Sequence, residues 1–353
     1  MCKIITIGTS LPSFILKQDT ADSLLTEHYG DILSKRGMDV MHQILSHPGI
    51  TKRHVAVNNI EELLSIKNEN MDFRIQRFSS WAVKLSKEAI EKALVKANKP
   101  ASDIKGLVVN TCTGYICPGI STYLIEALRL PSSVRVYDLV GSGCGGAIPN
   151  IEIGKAVLND LGDDQGIVVC VSVEICSATF EMGNDMSLIV SNSIFGDGAA
   201  AVVLSNHGYG LKLETIDAFY NTEYRNDVRY VHKNGRLHNQ LSPKLPEIIS
   251  EKVPPLIIKS LKRKKLKPSN INFWAIHPGG DKILSNIQKV LELSGSKMKY
   301  AREVLSQYGN MSSPSVLFEL EKIFSDSPEE NDWCSITSFG AGLSAYTCLA
   351  RFL

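Results

Sequence analysis

Three residues of this chain could carry nucleophilic chemistry: Cys144 in GSGCGGA, His277 in FWAIHPGG and Asn310 in YGNMSSPSV. Before Cys144 the β-branched run from Val134 to Val140 reads as a strand; after it, AIPNIEIGKAVLND reads as a helix. The cysteine falls where the strand turns, through glycines, into the first helical turn. Unpaired backbone N–H groups at a helix start stabilise negative charge. A thiol there ionises more readily and becomes a nucleophile. His277 follows an apolar strand-like run and precedes Pro-Gly-Gly, and functional side chains gather at such strand ends. Asn310 sits in a glycine turn ahead of a helix.

Each residue alone has an ordinary reading: a small buried hydrophobe for the cysteine, a structural histidine, turn chemistry for the asparagine. Together they fit acyl-thioester chemistry. The thiolate takes an acyl group from a thioester, and the imidazole holds that thiolate as an ion pair. Imidazole and amide N–H₂ then both donate to a thioester carbonyl, stabilising an enolate oxygen. No carboxylate base is needed if the carbanion is made by losing CO₂. This reading predicts a Cys144 pKa below the ordinary thiol value of ~8.5.

The elements that must position these residues alternate strand and helix. Strands are predicted at 3–8, 107–110, 134–140, 167–173, 195–205, 211–220, 273–276, 333–338 and 344–349. Helices are predicted at 71–97, 147–160, 246–266, 283–293 and 313–324, with scattered helical signals over 13–60. Two packed α/β units follow, 1–206 carrying the cysteine and 207–353 carrying the histidine and asparagine.

The chain has 353 residues, enough for two such units. A formal charge of +1 gives no field calling for nucleic acid or a membrane surface. No run approaches the ~20 apolar residues of a transmembrane helix. MCKIITIGTSLP reads as a first strand rather than a secretory leader. The 8 cysteines include no CxxC pair, which points to a reducing cytoplasm rather than to zinc or disulfides. The run KSLKRKKLK at 259–267 reads as a solvated helix face. It also carries, at Arg263, Lys264 and Lys265, the charge of a docking patch for an acidic acyl carrier protein or for coenzyme A phosphates.

Over most of its length the chain resembles the type III polyketide synthases, the chalcone and stilbene synthase family of the thiolase superfamily. The resemblance rests on GSGCGGA, FGDGAAAVV from Phe195, WAIHPGG, YGNMSSPSVLFEL, SFGAGLSA from Ser338 and TGYICPG at 113–119. It implies a five-layered αβαβα thiolase fold with two pseudo-repeated halves, as a homodimer. It implies that Cys144 is loaded from an acyl-CoA, that His277 and Asn310 promote malonyl-CoA decarboxylation, and that Claisen condensation then repeats. The product would be a pyrone, resorcinol or phloroglucinol type. The alternative is a non-iterative, ketoacyl-synthase-like enzyme joining two acyl groups delivered by coenzyme A or a carrier protein. Neither a metal nor a cofactor is implied.

Phe195 matches a gatekeeper position of the family, and Thr179 and Cys112 match cavity-lining positions. The motifs also bring Gly279, Gly280 and Ser312 into the substrate site. Cys117 matches a residue that reaches the partner subunit's cavity from a loop with a cis Cys117–Pro118 bond. Plant members carry a second gatekeeper phenylalanine near 240–250; QLSPKLPEIIS holds no aromatic there. Basic coenzyme A contacts found in plant members before Lys52–Arg53 have no match in HQILSHPG.

Overall fold

The computed structural model describes residues 2–162 and 166–353. The first part of the chain forms β1 (Lys3–Ser10), β2 (Phe14–Lys17), α1 (Gln18–Tyr29), α2 (Lys35–Leu45), β3 (Lys52–Val55), α3 (Ile60–Ser65), α4 (Met71–Ala97), β4 (Ile104–Asn110), α5 (Ile120–Leu128), β5 (Arg135–Leu139), α6 (Ala147–Asp160), β6 (Ile167–Glu174), α7 (Met186–Ile194) and β7 (Gly198–Ser205). The rest forms β8 (Leu211–Tyr220), β9 (Val228–Lys233), β10 (Arg236–Leu241), α8 (Leu245–Arg263), β11 (Phe273–Ile276), α9 (Asp281–Val290), α10 (Lys299–Tyr308), α11 (Ser315–Ser325), β12 (Trp333–Gly340) and β13 (Ser344–Phe352).

Nine strands hydrogen-bond in the order β11-β12-β13-β8-β1-β7-β6-β4-β5. Two strand groups meet where β1 touches β8, over Lys3↔Lys212 and Ile4↔Leu211. Helix α4 covers the β1-β7-β6 group and α8 covers β13 and β8, while α6 and α11 each touch strands of both groups. The layers therefore run α-β-α-β-α, the thiolase arrangement. Alternation along β6 explains its unbroken apolar run. Val168 and Cys170 face the middle core with Ile151, Leu317 and Ile336. Val169 and Val171 face the outer core under α4 with Leu85 and Ile90. A Cβ at Gly8 would lie 2.2 Å from the Ala89 carbonyl oxygen, so β1 reaches α4 only as glycine.

Three elements differ from expectation. The strand predicted over 195–205 starts at Gly198, because Phe195 ends α7, its N–H bonded back to Ser191. The apolar run around β5 meets the core only at Val134 and Leu139; β5 is the sheet's edge strand, exposed along most of its length. The pairs β2–β3 and β9–β10 are short, separate antiparallel sheets that the sequence reading does not contain. No helix among the described residues is long and apolar enough to cross a membrane.

Candidate active site

A single 3-10 turn over Gly143–Gly145 links β5 to α6 and carries Cys144. Gly143 has φ 55°, and a Cβ there would sit 3.1 Å from Ala341. A Cβ at Gly340 would lie 2.4 Å from the Gly145 nitrogen and 2.9 Å from that of Cys144. Ser338 Oγ donates to the Gly145 carbonyl at 3.0 Å. GSGCGG and SFGAG are rich in glycine because their backbones lie against each other.

The Cys144 thiol is hydrogen-bonded to the Ser312 hydroxyl. Ser312 Oγ is also 3.5 Å from Cys112 Sγ, and Ser312 adopts φ 60°, a left-handed backbone that a β-substituted residue keeps only under constraint. Behind them stands Glu174, wholly buried at the end of β6. Its Oε2 accepts from the Cys112 N–H at 2.9 Å, Thr113 Oγ1 at 3.0 Å and Thr111 Oγ1 at 3.2 Å; its Oε1 accepts from Ser313 Oγ at 2.7 Å. Burial raises the Glu174 pKa, against the pull of those donors.

The expected lowering of the Cys144 pKa is overturned. Cys144 keeps some accessible surface, yet the protein around it pushes the thiol up to about 12; burial is the main cause, and Glu174 adds to it. The backbone N–H at the turn pulls the other way but is outweighed by that desolvation. Cys112, beside the same carboxylate, is also raised well above an ordinary thiol.

His277 ends β11, its N–H bonded to the Thr337 carbonyl at 2.9 Å. The ring is 1% exposed and packs edge-on against Phe339, centroids 5.2 Å apart. Its Nδ1 is buried without a partner, and burial alone drives its pKa down to about 3. Burial thus favours the neutral form of the imidazole, as it does that of the thiol. Gly279 packs under the ring, and Gly280, at φ 154°, starts α9.

Asn310 is tied into the backbone at both ends: its N–H donates to Ile194 at 2.9 Å, and its carbonyl accepts from Gly196 at 3.0 Å. Its Oδ1 accepts from the Ser312 N–H at 2.8 Å. That bond fixes the amide orientation and leaves the N–H₂ as the free half. Asn310 forms a parallel β-bridge with Phe195. Contacts thus link Cys144 to Asn310 through Ser312, and Cys144 to His277 through Gly340 and Phe339.

Phe195 and Thr179 line one cavity, while Cys112 lies on the Glu174 side. Cys117 precedes a cis proline and is exposed on the chain's surface, whereas Cys170, Cys176 and Cys348 are buried. Arg53 is a buried strut: it donates to Gln18, to the Asn192 carbonyl at 2.7 Å and to the Phe195 carbonyl at 2.9 Å. Arg263 pairs with Asp217 and Lys264 with Glu214, so the basic run is partly neutralised. Among the described residues no group of three His, Cys, Asp or Glu could hold a metal ion.

Two residues escape the sequence reading. Glu174 is signalled only by a charge closing the apolar run IVVCVSVE. Tyr230 enters from β9, its hydroxyl enclosed and hydrogen-bonded to Thr179, near Cys112, Cys176 and Glu174. Its cross-strand partner is Asn239, which lines the cavity.

Comparisons with known proteins agree with this arrangement. Residues 13–218 match the family described as FAE1/type III polyketide synthase-like protein, and 222–353 match the C-terminal domain of chalcone and stilbene synthases. The fold is that of PKS-I from the brown alga Ectocarpus siliculosus, with TM-score 0.90 and 24% identity over 100% of this chain and 98% of that one. It is equally that of 1,3,6,8-tetrahydroxynaphthalene synthase from Streptomyces coelicolor A3(2), with TM-score 0.91 and 23% identity over 99% of each chain. With more than half its length matched by one family and the remainder by its companion domain, the chain belongs to the type III polyketide synthases, acyltransferases that condense malonyl-CoA.

Proposed function

We propose that Cys144, His277 and Asn310 are the catalytic residues of this polyketide synthase. Cys144 Sγ attacks the carbonyl carbon of a starter acyl-CoA; its proton passes through the imidazole to the departing coenzyme A sulfur. Both groups being neutral at rest, the proton moves during the attack rather than before it. Malonyl-CoA then loses CO₂, and the electron pair of the broken C–C bond moves to the thioester oxygen. A neutral imidazole offers one N–H and the Asn310 amide another, enough to hold that enolate oxygen. The enolate carbon attacks the Cys144 thioester, a C–C bond forms, and the C–S bond breaks to return the sulfur. Repetition, then cyclisation or release, yields a pyrone, resorcinol or phloroglucinol-type product.

The observation that carries this reading is the Asn310–Ser312 segment, which bonds at one end to the thiol and at the other aims the amide. Labelled malonyl-CoA with a panel of acyl-CoAs, read by product mass, tests it. More than one malonyl unit per product fits the iterative enzyme; a single unit fits the non-iterative alternative. Peptide mapping must find the acyl adduct on Cys144; an adduct confined to Cys112 or Cys117 sinks the assignment.

The reading carries further parts. Residues 1–206 and 207–353 are its two halves. It is a cytoplasmic enzyme that uses coenzyme A thioesters with no metal or prosthetic group. It works as a homodimer, for which the support is an edge strand with exposed Val136 and Tyr137, flanked by exposed Val140, Tyr115, Cys117 and Tyr123. So large an apolar surface calls for a partner, and a second copy of the strand fits it. Cys117 then closes part of the neighbour's cavity.

A further inference from the structure

Between α1 and α3 runs a narrow cavity of about 100 Å³. Its middle is walled by Leu16, Leu24, Leu25, Leu63, Ile66 and Phe180. Exposed Lys67 and half-buried His28 mark its outer end; Cys176, Thr179 and Phe195 mark its inner end. That inner end adjoins the site: Cys176 lies close enough to Cys144 for their ionised forms to repel, and Phe195 is bridged to Asn310. Tyr230, bonded to Thr179, stands at the junction. Two of the polar groups that also line the cavity are engaged elsewhere: Arg53 with Gln18 and two backbone carbonyls, Asn192 Nδ2 with the Glu181 carbonyl at 2.7 Å.

We propose that this cavity receives the tail of an unbranched aliphatic starter acyl group whose thioester carbon lies at Cys144. The inference rests on the catalytic reading above and names the class of starter it acts on. A slot walled along its middle by leucine, isoleucine and phenylalanine suits the size and apolarity of a linear alkyl chain. A planar ring bearing hydroxyls is the poorer fit on both counts. Each methylene that enters contributes up to roughly a fourfold gain in affinity, until the chain reaches the mouth.

Binding and turnover separate this proposal from the catalytic reading. Acetyl-, hexanoyl-, decanoyl- and cinnamoyl-CoA are titrated calorimetrically into full-length Cys144→Ala protein, which binds without reacting. The expected result is a Kd that tightens from acetyl to decanoyl, with cinnamoyl-CoA weaker than decanoyl. Leu63→Trp, introduced into the same background, should fill the slot, weaken decanoyl-CoA at least about tenfold and leave acetyl-CoA unchanged. A Kd independent of chain length, tightest binding of cinnamoyl-CoA, or an unchanged chain-length series in folded Leu63→Trp overturns it. Should that variant not fold, Leu24→Trp blocks the opposite wall, and the series in the unblocked protein already decides. Failure of the catalytic reading shows separately, as absence of any acyl adduct on Cys144 in the wild type.

Discussion

The two sides of the site are built in opposite ways. Around Cys144 polar groups crowd together: Ser312, Cys112 and, through six protein donors, Glu174. Around His277 the wall is an aromatic ring and a glycine, and Nδ1 has no partner. Yet both environments favour the neutral form. Burial with a carboxylate behind it keeps the proton on sulfur; burial without a counter-charge keeps the second proton off imidazole.

The largest expected effect separates the two sides by function. Cys144→Ala should abolish condensation, a loss of at least about a thousandfold, since no other residue at the site carries the acyl chain. It should retain CO₂ release from malonyl-CoA, which needs only the enolate-holding pair. His277→Ala and Asn310→Ala should each lower that release by about a hundred- to a thousandfold. Labelled CO₂ and product are measured in the same assay. Equal loss of both in Cys144→Ala would merge the two sides into one function.

A second test uses stability. The His277 pKa is about 3 in the fold against an ordinary value near 6.5, so the unfolded chain binds a proton first as pH falls. Stability is then lost from about pH 6.5 downward, at about 1.4 kcal/mol per unit, until the folded value is reached. Urea unfolding at about pH 7 and about pH 5 should show wild type losing about 2 kcal/mol more than His277→Leu. Parallel slopes would mean that water or a proton reaches the ring.

The cysteine side gives a smaller, kinetic signal. With its thiol raised, Cys144 should alkylate slowly with iodoacetamide at neutral pH, the rate still climbing above pH ~8.5. Glu174→Gln removes the like charge and should speed the reaction about three- to tenfold. Fast alkylation below about pH 7 in the wild type would restore the ion pair.

What could be read in the sequence follows from what leaves a trace there. Backbone-on-backbone contact demands glycine, so the turns around Cys144 and Gly340 are visible as motifs, and His277 is framed by its strand and Gly279. The layers are visible because β6 and β7 are buried on both faces and α4 keeps its helical period. The charge state of the site is not visible, since it depends on how much protein surrounds the thiol and on Glu174, far away in sequence. That Arg53 is a buried strut on Phe195 is not visible either, because only the fold supplies its carbonyl acceptors.

Tyr230 is the residue least legible in advance and the subject of the smallest expected effect on rate. It lies in a hairpin with no motif, and only the register Tyr230↔Asn239 sets it on the same face as Asn239, which lines the cavity. Its phenol lies near Cys176, Cys112 and Glu174 and belongs to neither side of the comparison. Tyr230→Ala should leave CO₂ release within about twofold, since the enolate donors stay in place. Product mass should shift toward additional malonyl units, because the volume of the ring becomes available to the acyl chain. Tyr230→Phe keeps that volume and removes only the hydroxyl bond to Thr179, worth about 1 kcal/mol, so its products should match wild type. Identical product masses in all three proteins would place the limit on chain length elsewhere, and longer products from Tyr230→Phe alone would assign it to the hydrogen bond rather than to the ring.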